Sequence, residues 1–135
     1  MKILIAEDEF LSRSMLQRFF EKYGDVDVTI NGEEAISAFQ TAVEGAEPYG
    51  LVCLDIMMPK MDGITALMYI RNKEKSMGIT SERAVKVIMT TSLDPPSDLI
   101  DAFYKGVNKC NDYVTKPVDF QTLSDILEKY GFHQQ

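Results

Sequence analysis

Basic residues are in the minority, with 14 Lys and Arg against 21 Asp and Glu and a net charge of −7. A chain this acidic lacks the Lys/Arg clusters that neutralise phosphate backbones, which argues against direct nucleic-acid binding. Long apolar runs are missing too, so no membrane span is expected. The first apolar run, Ile3-Leu4-Ile5-Ala6, ends in Glu7-Asp8 and is too short for a signal peptide. Cysteine is scarce, at two residues. Cys53 falls inside a predicted core strand, so a structural disulfide with Cys110 is not expected and a reducing, cytoplasmic setting is. His133 reads as a tail residue. No repeat, low-complexity tract or linker is visible, and 135 residues suffice for one domain with a real core but not for two.

What is present centres on Leu51-Val52-Cys53-Leu54-Asp55-Ile56-Met57-Met58-Pro59. A continuous apolar run reads as a strand buried on both faces. Pro59 cannot donate to a ladder, so Asp55 stands at the carboxyl end of a central strand. Ligands collect at that edge of open α/β sheets. A lone carboxylate there is equally a solvated strand end or a helix cap, so the rest of the chain decides.

Ile3 to Ala6 is a short buried strand. Leu11, Met15, Leu16, Phe19 and Phe20 then form a helix stripe, closed by Gly24 as a left-handed C-terminal residue. Val26, Val28 and Ile30 alternate with Asp27 and Thr29 as a half-exposed strand, and Asn31-Gly32 reads as a turn. Ala35, Ile36, Phe39 and Val43 mark the next helix, and Gly45 to Gly50 a loop. Asp62 can cap a helix carrying Ile64, Leu67, Met68 and Ile70. Lys73 to Arg83, with Gly78, reads as a long exposed connection. Val85, Val87, Ile88 and Met89 form a strand ending at Thr90-Thr91-Ser92. Pro95-Pro96 opens a helix with Leu99, Ile100 and Phe103, stopping near Gly106. Asp112 to Thr115 is a last strand, cut off by Lys116-Pro117. Phe120, Leu123, Ile126, Leu127 and Tyr130 form the final helix, ended by Gly131. Strand–helix alternation repeated five times implies an α/β fold, a parallel sheet with helices on both faces.

In such a sheet all carboxyl ends share one edge. Glu7, Asp8, Asp55, Thr91 and Lys116 therefore converge. Three carboxylates repel one another unless a cation compensates, and all-oxygen ligands favour a hard ion such as Mg²⁺. A hydroxyl and an ammonium opposite the metal could hold the remaining oxygens of a phosphoryl group. These residue types point to phosphoryl chemistry with Asp55 as nucleophile. Blander readings accompany each residue. Glu7 and Asp8 could merely cap the first helix, Lys116 could be a solvated strand-end lysine, and Tyr113 a plain core aromatic. Met57, Met58 and Met61 could be gap-fillers.

Five segments in order resemble the receiver domain of two-component response regulators, of the CheY-like single-domain kind. They are Ile3 to Glu9, Asn31 to Ala35, Leu54 to Pro59 with Met61-Asp62-Gly63, Val87 to Ser92, and Asp112 to Pro117, and the likeness spans about residues 2 to 130. It implies a flavodoxin-like (βα)5 fold with strand order 2-1-3-4-5. The whole chain, 1–135, is then expected to be a single receiver domain with no output domain. By resemblance Asp55 is the phosphoacceptor. Asp8 ligates Mg²⁺ (or Mn²⁺) directly, Glu7 through water, and Asp55 and the Met57 backbone carbonyl complete the protein ligands. Lys116 pairs with a phosphoryl oxygen across an expected cis Lys116-Pro117 bond. Thr91, rather than Thr90, is the switch hydroxyl, and Tyr113 the aromatic that follows it inward. The implied partners are a sensor histidine kinase or phosphotransfer protein and a downstream protein that the sequence does not name. A phosphorylation-dependent homodimer through the last two helices and strand five is left open. Such a chain is a switch rather than an enzyme, catalysing only its own aspartyl phosphorylation and dephosphorylation.

The chain also departs from the family pattern. Glu7 stands where aspartate is common. The Asn108-Lys109-Cys110-Asn111 insertion is expected to alter partner choice. Met57 and Leu93, apolar at two positions that tune attack by water, predict slow self-dephosphorylation. A phosphate-independent interaction module on the same fold is the alternative reading. A phosphatase is disfavoured because Met57 stands where a second aspartate would act as acid and base. Flavin binding is disfavoured because Glu7-Asp8-Glu9 would repel a phosphate.

Overall fold

The computed structural model describes residues 1–92 and 110–135. The described elements are, in chain order, β1 (Lys2–Ala6), α1 (Phe10–Phe20), β2 (Asp25–Thr29), α2 (Gly32–Glu44), β3 (Leu51–Asp55), α3 (Gly63–Ser76), β4 (Lys86–Thr91), β5 (Asp112–Thr115) and α4 (Phe120–Lys129). All strands pair in parallel, in the order β2-β1-β3-β4-β5. The helix expected over Pro95-Pro96, Leu99, Ile100 and Phe103 to Gly106 lies outside the described residues.

The apolar runs of β1, β3 and β4 follow from burial on two faces. Leu4, Ala6, Val52, Leu54, Val87 and Met89 pack with Phe39 of α2 and Leu67 and Ile70 of α3. Their neighbours Ile3, Ile5, Leu51, Cys53 and Ile88 pack on the opposite side with Leu16 and Phe20 of α1 and Leu123 and Leu127 of α4. Side chains of this size contribute roughly 2 kcal/mol each when fully buried. The site edge is thus carried on a stiff double layer.

The helix starts are capped by side chains. Glu9 accepts from the Leu11 and Ser12 amides, at 3.2 and 2.6 Å, and so opens α1. Asp62 accepts from the Thr65 amide at 2.7 Å and opens α3. Gly63 follows at once and has no room for a side chain, because a Cβ there would overlap the Asp55 carbonyl oxygen. The first turn of α3 is therefore seated directly on the end of β3.

Several local expectations need correction. Gly24 is not a left-handed helix stop. Its φ is not positive, and glycine is needed there because a Cβ would collide with the Met1 carbonyl. Asn31-Gly32 is not a free turn: Asn31 caps α2, accepting from the Glu34 amide at 2.9 Å, and Gly32 is the helix's first residue. In the edge strand β2, Thr29 is buried, with its hydroxyl on the Ile5 carbonyl at 2.9 Å, whereas Val28 and Ile30 are exposed. The α1 stripe is split as well. Leu16 and Phe20 enter the core, but Leu11 and Met15 are exposed.

Lys73 to Arg83 is not simply an exposed connection. Helix α3 runs on to Ser76 and closes at Gly78, φ +73°, with Ile79 N–H on the Glu74 carbonyl. Glu74 is buried, 2.8 Å from Arg71 Nη1, and accepts the Val85 amide at 2.7 Å. Arg71 also donates to the Val85 carbonyl and to Asn111 Oδ1. Asn111 in turn accepts the Val87 amide through Oδ1 at 2.8 Å and the Tyr130 hydroxyl through its carbonyl at 2.6 Å. This polar knot joins α3, β4, the approach to β5 and α4 at the sheet's amino end. Of the insertion expected to alter partner choice, Asn108 and Lys109 lie outside the described residues. Asn111 is part of the knot.

Candidate functional site

Parallel pairing brings the ends of β1, β3, β4 and β5 to one edge. Glu7 and Asp8 follow β1, Asp55 ends β3, Thr91 ends β4 and Lys116 follows β5. Glu7 and Asp55 are buried, at 0% and 4% exposure, and Asp8 is open to solvent. One carboxylate oxygen from each of the three lies within 4.8 Å of the others. Lys116 Nζ reaches across, 2.7 Å from Glu7 Oε1 and 3.0 Å from Asp55 Oδ2. The other Asp55 oxygen accepts the Met57 amide at 3.3 Å. The Lys116-Pro117 peptide is cis, as expected.

The electrostatics follow from this crowding. Burial, and then the neighbouring Asp55, push the Glu7 carboxyl above the usual carboxylate range, against the opposing pull of Lys116. Burial alone would lower the Lys116 ammonium, but its bonds to Glu7 and Asp55 outweigh that and raise it. Three carboxylates face one ammonium, so the site carries unbalanced negative charge. Glu7 Oε1 is buried and, apart from its charge contact with Lys116, has no hydrogen bond among the described residues. Asp8 makes none with its side chain there either. Hard oxygen donors with a charge deficit fit a small divalent cation.

Thr91 is buried, and among the described residues its hydroxyl makes one long contact, 3.5 Å, to the Ser92 carbonyl. Register puts Thr90, not Thr91, opposite Asp55, which leaves Thr91 one residue further toward the edge. Tyr113 is half-buried, opposite Met89 in register, and packs against the α2–α3 side of the core. Met57 is 61% exposed, and Leu93 lies outside the described residues. The helix-capping role weighed for Glu7 and Asp8 belongs to Glu9.

The sequence model of the response regulator receiver domain matches residues 3–128. The chain belongs to the response regulator receiver domain family. Receivers are the phosphorylation-controlled switches of two-component signalling, and aspartyl phosphate and Mg²⁺ are general features of the family.

This receiver is 32% identical over 129 residues to the two-component response regulator ORR41 of Oryza sativa, covering 96% of this chain and 93% of that protein. It is also 32% identical over 129 residues to the chemotaxis protein CheY of Listeria monocytogenes, covering 97% of that protein. Against hybrid signal transduction histidine kinase L of Dictyostelium discoideum identity is 28%, and the match spans 7% of that much longer chain. Among solved structures, the receiver domain of Saccharomyces cerevisiae Ssk1, crystallised with the histidine phosphotransfer protein Ypd1, superposes with a TM-score of 0.77 at 29% identity. It covers 97% of this receiver and 88% of that chain. The CheX–CheY–BeF3–Mg²⁺ complex of Borrelia burgdorferi gives a TM-score of 0.74 at 27% identity, covering 96% and 89%.

Sequence reasoning brought together the residues that do converge, but it passed over two that shape the site. Glu9 was seen only as a third acid, because glutamate is not among the usual N-capping residues. Arg13 carried no signal, because its partners are backbone carbonyls.

Proposed function

We propose that this receiver accepts a phosphoryl group on Asp55 from a sensor histidine kinase or phosphotransfer protein and signals through protein–protein contacts. The observation that carries the reading is the bridge Glu7–Lys116–Asp55 beside the three converging carboxylates. An Asp55 oxygen would form the new P–O bond as the donor's P–N bond breaks. Glu7, Asp8, Asp55 and the Met57 carbonyl would hold Mg²⁺, with Mn²⁺ as a substitute. When bound, the ion would neutralise charge on the phosphoryl oxygens. Lys116, already on Asp55 Oδ2, would transfer its pairing to a phosphoryl oxygen. Thr91, whose hydroxyl has only the long Ser92 contact among the described residues, would turn to another phosphoryl oxygen, with Tyr113 following.

The Ssk1–Ypd1 co-crystal supports a phosphotransfer protein as donor. No helix among the described residues is long and apolar enough to cross a membrane, which accords with a cytoplasmic setting. Exposed Met57 can neither donate a proton to nor accept one from an attacking water, so the phosphate is expected to persist.

Intact-protein mass after incubation with acetyl phosphate tests the reading. One phosphate that requires Mg²⁺, is absent in Asp55→Asn, and decays over minutes or longer is expected. A folded protein that takes none would point instead to a phosphate-independent interaction module, and decay within seconds would remove the slow-release element.

A further inference from the structure

We propose that Arg13 is the positioning residue that sets the Mg²⁺ ligands Glu7 and Asp8, an assignment that rests on the metal site proposed above. Three bonds converge from this one residue. Arg13 Nη1 donates to the Glu7 carbonyl at 3.1 Å and to the Asp8 carbonyl at 3.3 Å. Its backbone N–H donates to the Glu9 carbonyl at 2.9 Å. The whole acidic turn between β1 and α1 therefore has its peptide oxygens tied to Arg13. On the strand side the Glu7 amide is fixed by the Thr29 carbonyl at 3.0 Å. Arg13 is half-buried, its planar guanidinium lies 5.5 Å from the centre of the Phe10 ring, and Nη1 alone makes both side-chain bonds.

The need for such a residue lies in Asp8. Its side chain is exposed and has no hydrogen bond among the described residues. Its direction is set by its backbone alone, and the backbone oxygens on either side are held by Arg13. Glu7 is steadied by Lys116 as well, so Asp8 depends more on this clamp. Groups that orient metal ligands typically matter 10- to 100-fold in metal affinity. A guanidinium so near the site also repels a cation. The two effects oppose each other in sign, which makes the assignment testable.

Titration calorimetry with MgCl2 on the full chain, comparing the parent with Arg13→Met, Arg13→Lys and Asp8→Asn, separates them. Methionine removes the guanidinium but keeps an unbranched side chain that suits the helix. Arg13→Met is expected to weaken Mg²⁺ binding roughly tenfold, with unchanged helical circular dichroism. Arg13→Lys, which keeps the charge but loses the planar guanidinium, is expected to fall between it and the parent. Because the effect runs through metal affinity, phosphorylation of Arg13→Met by acetyl phosphate should recover to within about twofold of the parent at saturating Mg²⁺. Binding within about twofold of the parent, tighter binding, or a rate that saturating Mg²⁺ does not restore overturns the assignment of Arg13 alone, provided Asp8→Asn abolishes binding. No Mg²⁺ binding by the parent chain overturns the metal site and Arg13 together.

Discussion

At the scale of single residues, Glu9 gives a proton-linked handle on α1. The bonds from Ser12, and then from the Leu11 amide, hold its carboxyl below the ordinary glutamate range. A carboxyl depressed in the folded state stabilises it above the unfolded value near pH 4.3 and stops doing so as pH falls through the folded value. Glu9→Gln is therefore expected to lose less stability than the parent chain between roughly pH 5 and pH 3 in urea titrations. An identical acid slope would show that the cap is not maintained in solution. Glu7 has the opposite sign: its raised carboxyl favours the folded state more as pH falls. That acid-linked strain sits at Glu7, one of the proposed metal ligands. The convergence of these ligands was legible from the order of Glu7, Asp8, Asp55 and Lys116 along the chain. The cap and the Arg13 clamp were not, because neither follows from residue type alone.

At the scale of elements, strands were easier to read than the ends of helices. A strand buried on both faces writes itself as an apolar run, as in Leu51 to Leu54. Helix ends depend on what the backbone meets. Helix α2 closes through Ala46 at φ 60°, with Glu47 N–H on the Ala42 carbonyl, where glycine would be unstrained. Ala46→Gly is expected to raise stability by about 1 kcal/mol in urea unfolding. A loss would mean that the added freedom of the unfolded chain outweighs the relieved strain. Glu74 is the reverse case, a charge in a polar-looking segment that is fully enclosed. Glu74→Ala would leave the Arg71 guanidinium short of its carboxylate and the Val85 amide unpaired. A cost of roughly 3 kcal/mol is expected by the same measurement. A cost under about 1 kcal/mol would show that water replaces the carboxylate there.

At the scale of the whole molecule, chemistry and anchorage occupy opposite ends of the sheet. The carboxyl edge holds the acids and Lys116. The amino end is tied by Arg71, Glu74, Asn111 and Tyr130. The sequence revealed the first because a parallel sheet collects its strand ends. It hid the second because Arg71 and Asn111 stand 40 positions apart with no pattern linking them. Cys53 lies between, in the central strand, and reports on the fold as a unit. Burial first, and then the Glu7 and Asp55 charges, push its thiol up to about 12, whereas half-buried Cys110 is raised to about 11. In native protein at pH 8, iodoacetamide is expected to leave Cys53 unmodified, and its labelling in urea should coincide with loss of circular dichroism. Native labelling of Cys53, or labelling well before that transition, would show that the central strand opens locally.

The seat of Gly63 on the Asp55 carbonyl has a consequence for inheritance. Every single-nucleotide missense change in a glycine codon introduces a Cβ, and at this position any Cβ meets the backbone of the strand that ends in Asp55. Lineages carrying the chain therefore have no small step away from glycine here. Met57, which is exposed to solvent, carries no such constraint, and on the proposed reading changes there would retune the lifetime of a signal without touching its seat.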